Sequence, residues 1–249
     1  MFDEYPADLH IHTCLSPCAD DEMNPINILN MAKLQGTKIL GICDHNSAKN
    51  IGAMLEAAKK YDILVIPGME VQSAEEVHLI CLFESLKEIL EMQEFVYKNL
   101  PKVENEPSIF GRQLIVDAQG RVIKEERQML LTSTMLTVEQ ISAKVSRLNG
   151  IFIPAHIDKR SFSLLGQLGF IPEGLDIKAV EFSRNIGEAD FKKRYKINSS
   201  YTLITNSDAH WLIEMVFQKT FFYLKSLSFG ELVMALEGKN GRGVIVKEG

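Results

Sequence analysis

The chain has 249 residues, of which 46% are hydrophobic and 24% charged, and its 33 acidic and 27 basic residues give a formal charge of −6. These values predict one globular domain over residues 1–249 with a large buried core, and they argue against a basic surface made for nonspecific duplex binding. The first residues are acidic and no run of about 18 apolar residues occurs, so we expect neither a secretory leader nor a membrane span. A cytoplasmic location follows as the expectation.

Short β-branched runs alternate with longer segments of helical period along the chain. The predicted strands are Ala7–His12, Lys38–Cys43, Ile63–Ile66, Val77–Phe83, Ile151–Pro154, Ala179–Phe182, Tyr201–Thr205 and Thr220–Leu224. The predicted helices are Pro25–Gln35, Ala48–Lys60, Leu86–Asn99 and Val138–Leu148, with shorter ones after Ser163, Gly187, Ala209 and Ser228. This alternation predicts parallel pairing through right-handed crossovers, and the number of strands favours a βα barrel over a doubly wound open sheet.

Residues 101–127 interrupt the alternation. Arg112–Asp117 and Arg121–Glu126 flank Ala118-Gln119-Gly120, a pattern that predicts a β-hairpin. We interpret the segment as a flap inserted into the single domain. It either covers the mouth of the barrel or serves as a dimerisation arm, and the oligomeric state stays open.

Histidines and carboxylates stand where predicted strands end. His10 and His12 are two residues apart on a strand and therefore face the same side. His78 differs, because it stands near the start of its strand. The side chains that follow other strands are Asp44, His45, Glu70, His156, Asp208 and His210. The carboxyl ends of strands in a parallel barrel share one face, so these groups should form one cluster able to hold two or three divalent ions, Zn²⁺, Mn²⁺ or Fe.

These blocks resemble the PHP (polymerase and histidinol phosphatase) family of metal-dependent phosphoesterases. The matching blocks are DLHIHT at 8–13, CDHNS at 43–47, PGMEV at 67–71, VHLICL at 77–82, PAHID at 154–158 and NSDAH at 206–210. The resemblance implies an α/β fold, a distorted (β/α)7 TIM-like barrel with the hairpin flap inserted, and up to three metal ions at its mouth. The implied ligands are His10, His12, His45, Glu70, His78, His156, Asp208 and His210.

The ninth ligand is where this chain departs from the family pattern. Members usually carry an Asp or His shortly after the HxH pair, whereas this chain reads SPCADDE; Asp20 is the better candidate and Asp21 the alternative. We interpret Cys14 and Cys18 as buried or loop thiols rather than ligands. Trp211 is expected to pack beneath the site.

The cluster predicts hydrolysis of a phosphate ester, with metal-activated hydroxide attacking phosphorus. Asp44, Asp208 and His210 are the candidate catalytic residues, although Asp44 fits better as a group that orients a neighbouring ligand. Lys159, Arg160 and Arg184 are the candidates for holding phosphate oxygens.

We expect a small-molecule phosphomonoester as substrate, such as a nucleotide, bisphosphate or sugar phosphate. Three alternatives remain: an exonuclease acting on nucleic acid ends, an amidohydrolase, and a metal-binding domain without catalysis.

Overall fold

The computed structural model describes residues 1–197, 201–215 and 220–247. Its strands are β1 (Asp3–Ile11), β2 (Ile39–Ile42), β3 (Leu64–Gln72), β4 (His78–Leu82), β5 (Leu114–Val116), β6 (Val122–Glu125), β7 (Ile151–Pro154), β8 (Ala179–Glu181), β9 (Thr202–Ile204), β10 (Thr220–Leu224) and β11 (Gly243–Val246). Its α-helices are α1 (Pro25–Gln35), α2 (Ile51–Ala58), α3 (Leu86–Asn99), α4 (Pro107–Phe110), α5 (Val138–Arg147), α6 (Leu164–Leu168), α7 (Glu188–Tyr195) and α8 (Phe229–Leu236), and a short 3₁₀ turn spans Leu212–Glu214. Within these residues, no helix is both long and apolar enough to span a bilayer.

Local sequence signals explain the principal helix boundaries. The Asn24 side chain caps α1 by accepting a hydrogen bond from the Asn27 N–H, and Gly36 ends the helix in the left-handed conformation at φ 73°. Thr137 and Gln140 form a reciprocal capping box at the start of α5. These boundaries agree with the sequence prediction.

The protein has an α/β fold built on a curled seven-stranded sheet in the order β11-β10-β1-β2-β3-β4-β7. β8 and β9 form a separate parallel pair. Backbone bridges join Phe152 to Ile177 and Ile11 to Ala209, which places this pair between β7 and β1. One face of the strands buries a single apolar cluster, to which six strands contribute Leu9, Ile39, Ile66, Ile80, Ile151 and Ile204.

The sheet is mixed, so the prediction of parallel pairing throughout is wrong. β1, β2 and β3 pair in parallel, but β4 is antiparallel to both β3 and β7. Only residues 73–77 connect β3 to β4, too few for the crossover that a parallel pair requires. His78 pairs with Gln72 at the carboxyl end of β3, so the first residue of β4 lies at the edge where its neighbours end.

The predicted hairpin is present as β5 and β6. It packs on the loop that follows β1: the Leu114 N–H donates to the Cys14 carbonyl at 2.8 Å. The Asn50 side chain joins the loop to the hairpin. Its amide donates to Thr13 Oγ1 and to the Leu114 carbonyl, and its oxygen accepts from the Val116 N–H. The hairpin is therefore attached to the loop that directly follows the HxH segment, and its action as a flap stays a prediction.

Candidate metal centre

The carboxylate of Glu70 lies at the centre of the histidine cluster. β3 carries it on the same face as Ile66, above the apolar interior, and it is 1% exposed. Neither carboxylate oxygen has a partner in hydrogen-bond geometry. Five ring nitrogens nevertheless surround it, those of His45 at 2.9 Å, His78 at 2.9 Å, His10 at 3.3 Å, His156 at 3.4 Å and His12 at 3.5 Å.

The donor atoms form three overlapping groups. Within each group the donor atoms lie within 4.8 Å of one another, and the groups are His10 with His12 and Asp208, His12 with His45 and His210, and His45 with Glu70 and His78. Burial of polar atoms without hydrogen bonds is costly, yet the two Glu70 oxygens and the Nδ1 of His156 have no partner in hydrogen-bond geometry. Imidazole and carboxylate donors that lie this close together suit divalent metal ions. The predicted metal ligands other than Asp20 thus lie together in this cluster.

Charges within the cluster set its protonation. Burial raises the pKa of Glu70, but the imidazoles of His78 and His10 outweigh burial and hold that pKa well below its usual range. Burial and the neighbouring His210 and His45 lower the pKa of His12 well below its ordinary value. The neighbouring carboxylates conversely outweigh burial and raise the pKa of His10 and of His45, so a metal ion that binds these two rings displaces their protons.

Glu181, at the end of β8, is a site residue that the sequence analysis missed. Its carboxylate contacts His10 Nδ1, accepts the His156 N–H at 2.8 Å and accepts the Asn206 amide at 2.7 Å. The signal was available, because Glu181 is a carboxylate near the carboxyl end of the predicted strand Ala179–Phe182. It orients His10 so that the other ring nitrogen, Nε2, faces the cluster.

Asp44 stands behind the cluster. Its carboxylate accepts hydrogen bonds from the Thr13 N–H at 2.7 Å and from Ser16 Oγ at 2.8 Å, and Ser16 Oγ contacts His12 Nδ1 at 2.9 Å. Asp44 therefore acts on His12 through Ser16. This contact turns the His12 Nε2 toward the cluster.

The loop after β1 carries Cys18 and the predicted ligand Asp20. Burial alone would raise the pKa of the Cys18 thiol, but the nearby His45 and His210 lower it to about 6. The thiol belongs to none of the donor groups found among the described residues. Asp20 accepts the Glu22 N–H at 2.8 Å and belongs to none of the donor groups among the described residues, while Asp21 pairs with Arg112.

A cavity of about 190 Å³ opens beside the cluster. Lys159 and Arg184 line it together with Asp208. Lys159 Nζ lies 2.7 Å from Asp208 Oδ2, and Arg184 donates to the Glu214 carbonyl at 2.7 Å. Arg160 is exposed and does not line this cavity.

Two exposed aromatic rings flank the histidines. Trp211 is 48% exposed with its ring centroid 6.2 Å from that of His210, so the expectation that it packs beneath the site is wrong. Phe162 is 42% exposed and stacks on His78 with centroids 4.9 Å apart. Its backbone has φ 57°, an uncommon conformation for a bulky residue.

The fold and the donor groups define a class, the metal-dependent hydrolases. The sequence profile of the PHP domain matches residues 8–159, which is more than half of the chain. The chain belongs to the PHP family.

Two curated relatives share part of this sequence. An uncharacterised protein of Bacillus subtilis, YqxK, is 32% identical over 114 residues, which cover 44% of this chain and 29% of YqxK. A 5'-3' exoribonuclease of Haemophilus influenzae is 32% identical over 78 residues, 30% of this chain and 27% of that enzyme. The matches thus span less than a third of either relative.

Solved structures support the fold. The lesion-specific endonuclease PfuEndoQ of Pyrococcus furiosus is similar with a TM-score of 0.76 and 22% identity, over 97% of this chain and 58% of that one. Endonuclease Q in complex with a 27-mer duplex substrate, with an abasic lesion at its active site, gives a TM-score of 0.73 at 22% identity over the same shares. At this identity the likeness is one of fold.

Proposed function

We propose that this chain hydrolyses a phosphodiester bond of nucleic acid. The observation that carries phosphate-ester hydrolysis is the buried Glu70 carboxylate surrounded by five imidazoles, beside a cavity lined by Lys159 and Arg184. Divalent ions, when bound, supply an activated water and neutralise charge on phosphoryl oxygens. The residues proposed to hold them are His10, His12, His45, Glu70, His78, His156, Asp208 and His210.

Different side chains of the protein are proposed to position the ligands, bind phosphate and act at the reacting centre. Glu181 and Ser16 fix the rings of His10 and His12. Burial lowers the pKa of Lys159, but the charge of Asp208 outweighs burial and raises it, so the ammonium stays charged beside the cluster. Lys159 and Arg184 are proposed to bind phosphate oxygens, with the exposed Arg160 further out. Asp208 and His210 are proposed at the reacting centre, and Asp44 as a positioning residue acting through His12.

Two lines support nucleic acid as the substrate class. The exoribonuclease of Haemophilus influenzae and the lesion-specific endonuclease of Pyrococcus furiosus both act on nucleic acid, and the latter fold covers nearly the whole chain. The exposed ring of Trp211 beside His210 offers a surface on which an unpaired base could stack. The amidohydrolase alternative has weaker support, since a similar amidohydrolase of Chromobacterium violaceum has a TM-score of 0.57 at 14% identity.

A small-molecule phosphomonoester is the second candidate. A cavity of about 190 Å³ matches a compact phosphorylated group, and the formal charge of −6 disfavours long-range attraction of a polyanion. Both candidates require the same metal centre. They differ in what lies beyond the scissile phosphate.

A parallel substrate screen separates the candidates. The full chain, stripped of metal and reloaded with Zn²⁺ or Mn²⁺, is incubated with end-labelled single-stranded DNA and RNA, with intact and abasic duplexes, and with nucleotides, bisphosphates and sugar phosphates. Cleavage of an oligonucleotide at a defined position supports the first proposal. Phosphate release from the small esters alone supports the second.

His12→Ala is the matched loss-of-function variant, because it removes a donor shared by two groups. It should abolish hydrolysis, whereas the exposed-surface variant Glu94→Gln should leave turnover unchanged. Turnover of amides or ring C–N bonds, with every phosphate ester left intact, would contradict both candidates.

A further inference from the structure

We propose that Phe162 stacks on a nucleobase next to the scissile phosphate, so that this site takes phosphate esters that carry a base and disfavours sugar phosphates. The inference rests on the phosphate-ester hydrolysis proposed above and adds the group that is recognised beside the phosphorus. It starts from the loop between β7 and α6, which carries both Lys159 and Phe162.

The Phe162 ring has one face covered and one face open. It stacks on His78 with centroids 4.9 Å apart and ring planes inclined by 21°. A stack on one face removes much of the accessible surface of a ring, so an exposed fraction of 42% means that the opposite face is largely open to solvent. A planar base can therefore extend the stack that His78 and Phe162 begin.

The backbone of Phe162 is held in a conformation that suits a bulky residue poorly. Its φ of 57° lies in the left-handed region, which is unfavourable for a side chain with a Cβ. The Phe162 carbonyl accepts the His78 N–H at 2.9 Å, while the buried Ser163 hydroxyl donates to the Lys159 carbonyl and accepts the Gly166 N–H. These bonds present an apolar ring to solvent instead of burying it, as expected where the ring contacts a ligand.

The open ring lies next to the place proposed for the phosphate. His78 Nδ1 is 2.9 Å from the Glu70 carboxylate, and these two residues form a donor group with His45. Lys159, three residues before Phe162, lines the cavity beside the cluster. One loop thus carries an ammonium for phosphate oxygens and an aromatic ring for a base, and only a sugar separates these two parts of a nucleotide.

Trp211 stands beside a different donor group, the one that contains His210. A continuous series of rings joins the two exposed aromatic residues, with successive centroids 4.9, 5.2, 5.8 and 6.2 Å apart from Phe162 through His78, His45 and His210 to Trp211. A strand that crosses the cluster would meet an exposed ring at each end of this series. Because every base has a π-face, we expect recognition of the presence of a base and little preference for its identity.

Oligonucleotides that lack one base test the proposal. The metal-loaded full chain is titrated into a short labelled single strand and into copies with an abasic nucleotide at each position in turn, and fluorescence anisotropy gives the dissociation constants. Phe162→Ala should weaken binding of the intact strand by roughly 5- to 150-fold. When the base that stacks on the ring is missing, the variant and the parent should bind alike.

Small phosphates extend the test to single nucleotides. The parent should bind a nucleoside monophosphate more tightly than ribose 5-phosphate, and Phe162→Ala should lose that preference while Phe162→Tyr keeps it. Phe170→Ala is the control, because Phe170 is also exposed but follows α6. Equal affinity of the parent for esters with and without a base would overturn the proposal.

A role confined to packing on His78 predicts a different result. Phe162→Leu keeps an apolar cover on the imidazole but lacks a π-face, so it should retain metal affinity in chelator competition and still lose the preference for a base. Weaker metal binding, together with equal losses for intact and abasic strands, would assign Phe162 to positioning His78 and refute base stacking. Because these readouts measure binding, a protein that selects bases without hydrolysing them would contradict the proposed hydrolysis alone.

Discussion

Both carboxylate oxygens of Glu181 lie against Nδ1 of His10, at 3.2 and 3.1 Å. A carboxylate in this place fixes which ring nitrogen carries the proton and leaves Nε2 to a metal ion. Glu181→Gln keeps the shape but removes the charge, so we expect metal affinity to fall by about 10- to 100-fold. Competition with a chelator of known affinity measures the change.

The control for this experiment is Glu94→Gln, an exposed carboxylate on α3. It should bind metal as the parent does. Unaltered affinity in Glu181→Gln would mean that His10 is oriented without this carboxylate.

Trp211 should contribute to the binding of single-stranded nucleic acid. Stacking of one base on an aromatic ring is worth about 1–3 kcal/mol, so Trp211→Ala should weaken binding of a short oligonucleotide by roughly 5- to 150-fold. Fluorescence anisotropy with a labelled oligomer measures this. Tyr223→Ala is the comparison, because Tyr223 is also exposed but lies on β10 opposite Glu4, at the other end of β1 from the histidines. Equal weakening in the two variants would refute a stacking role.

Glu231 should contribute to the loss of folding stability at acid pH. Its carboxylate accepts hydrogen bonds from Arg242 Nε at 3.0 Å and from the Lys225 N–H at 2.8 Å, and these contacts lower the pKa of Glu231 below its ordinary value. A carboxyl whose pKa is lowered by folding stabilises the protein above its unfolded pKa, and that stabilisation disappears as the pH falls through the lowered folded pKa.

Urea unfolding at neutral and acid pH checks this sign. Glu231→Gln should reduce the free energy of unfolding most near pH 7, and the difference from the parent should shrink as the solution becomes acid. Glu94→Gln should show no such trend. A difference that stays constant over the acid range would assign the effect to lost packing.

Asn50 should be needed to hold the hairpin in place. Its amide donates to the Leu114 carbonyl at 3.0 Å and its oxygen accepts from Val116 at 3.0 Å, all in the buried interior. Asn50→Ala leaves buried backbone groups unpaired, at a cost of about 1–3 kcal/mol each. Chemical denaturation should register that loss, and limited proteolysis should cut first within residues 111–127.

Asn30→Ala serves as the comparison, since Asn30 is exposed and accepts one hydrogen bond from Tyr61. It should change stability little. Protease resistance of the hairpin in Asn50→Ala would show that other contacts suffice to anchor it.

Much of the site was predictable, because ligands spaced two apart on a strand or placed at strand ends must converge on one face. The strand positions alone predicted the cluster of His10, His12, His45, Glu70, His156 and His210, and the family blocks added His78 to the ligand set. Strand direction was harder to predict, because the apolar run Val77–Phe83 looks the same whichever way it pairs. The link between the two predicted strands, residues 67–76, was the available clue, because it is shorter than the crossover of a dozen or more residues that a parallel pair requires.

Loop side chains were the least predictable part. Nothing in the order SPCADDE tells where the Asp20 carboxylate points, because that depends on hydrogen bonds of Asp20 with the backbone of His210 and of Glu22, which form only in the folded chain. Trp211 has the same difficulty. Its exposure depends on the path of the chain after Ala209, not on hydropathy.

The antiparallel pairing of β4 with β3 restricts the length of the turn between them. Gln72 and His78 are paired across the two strands, so the length of the five-residue turn 73–77 determines the position of His78 relative to Glu70. One added residue that shifted the register would turn His78 to the opposite face of the sheet. Homologues should vary freely in the hairpin after α3, while this turn keeps its length.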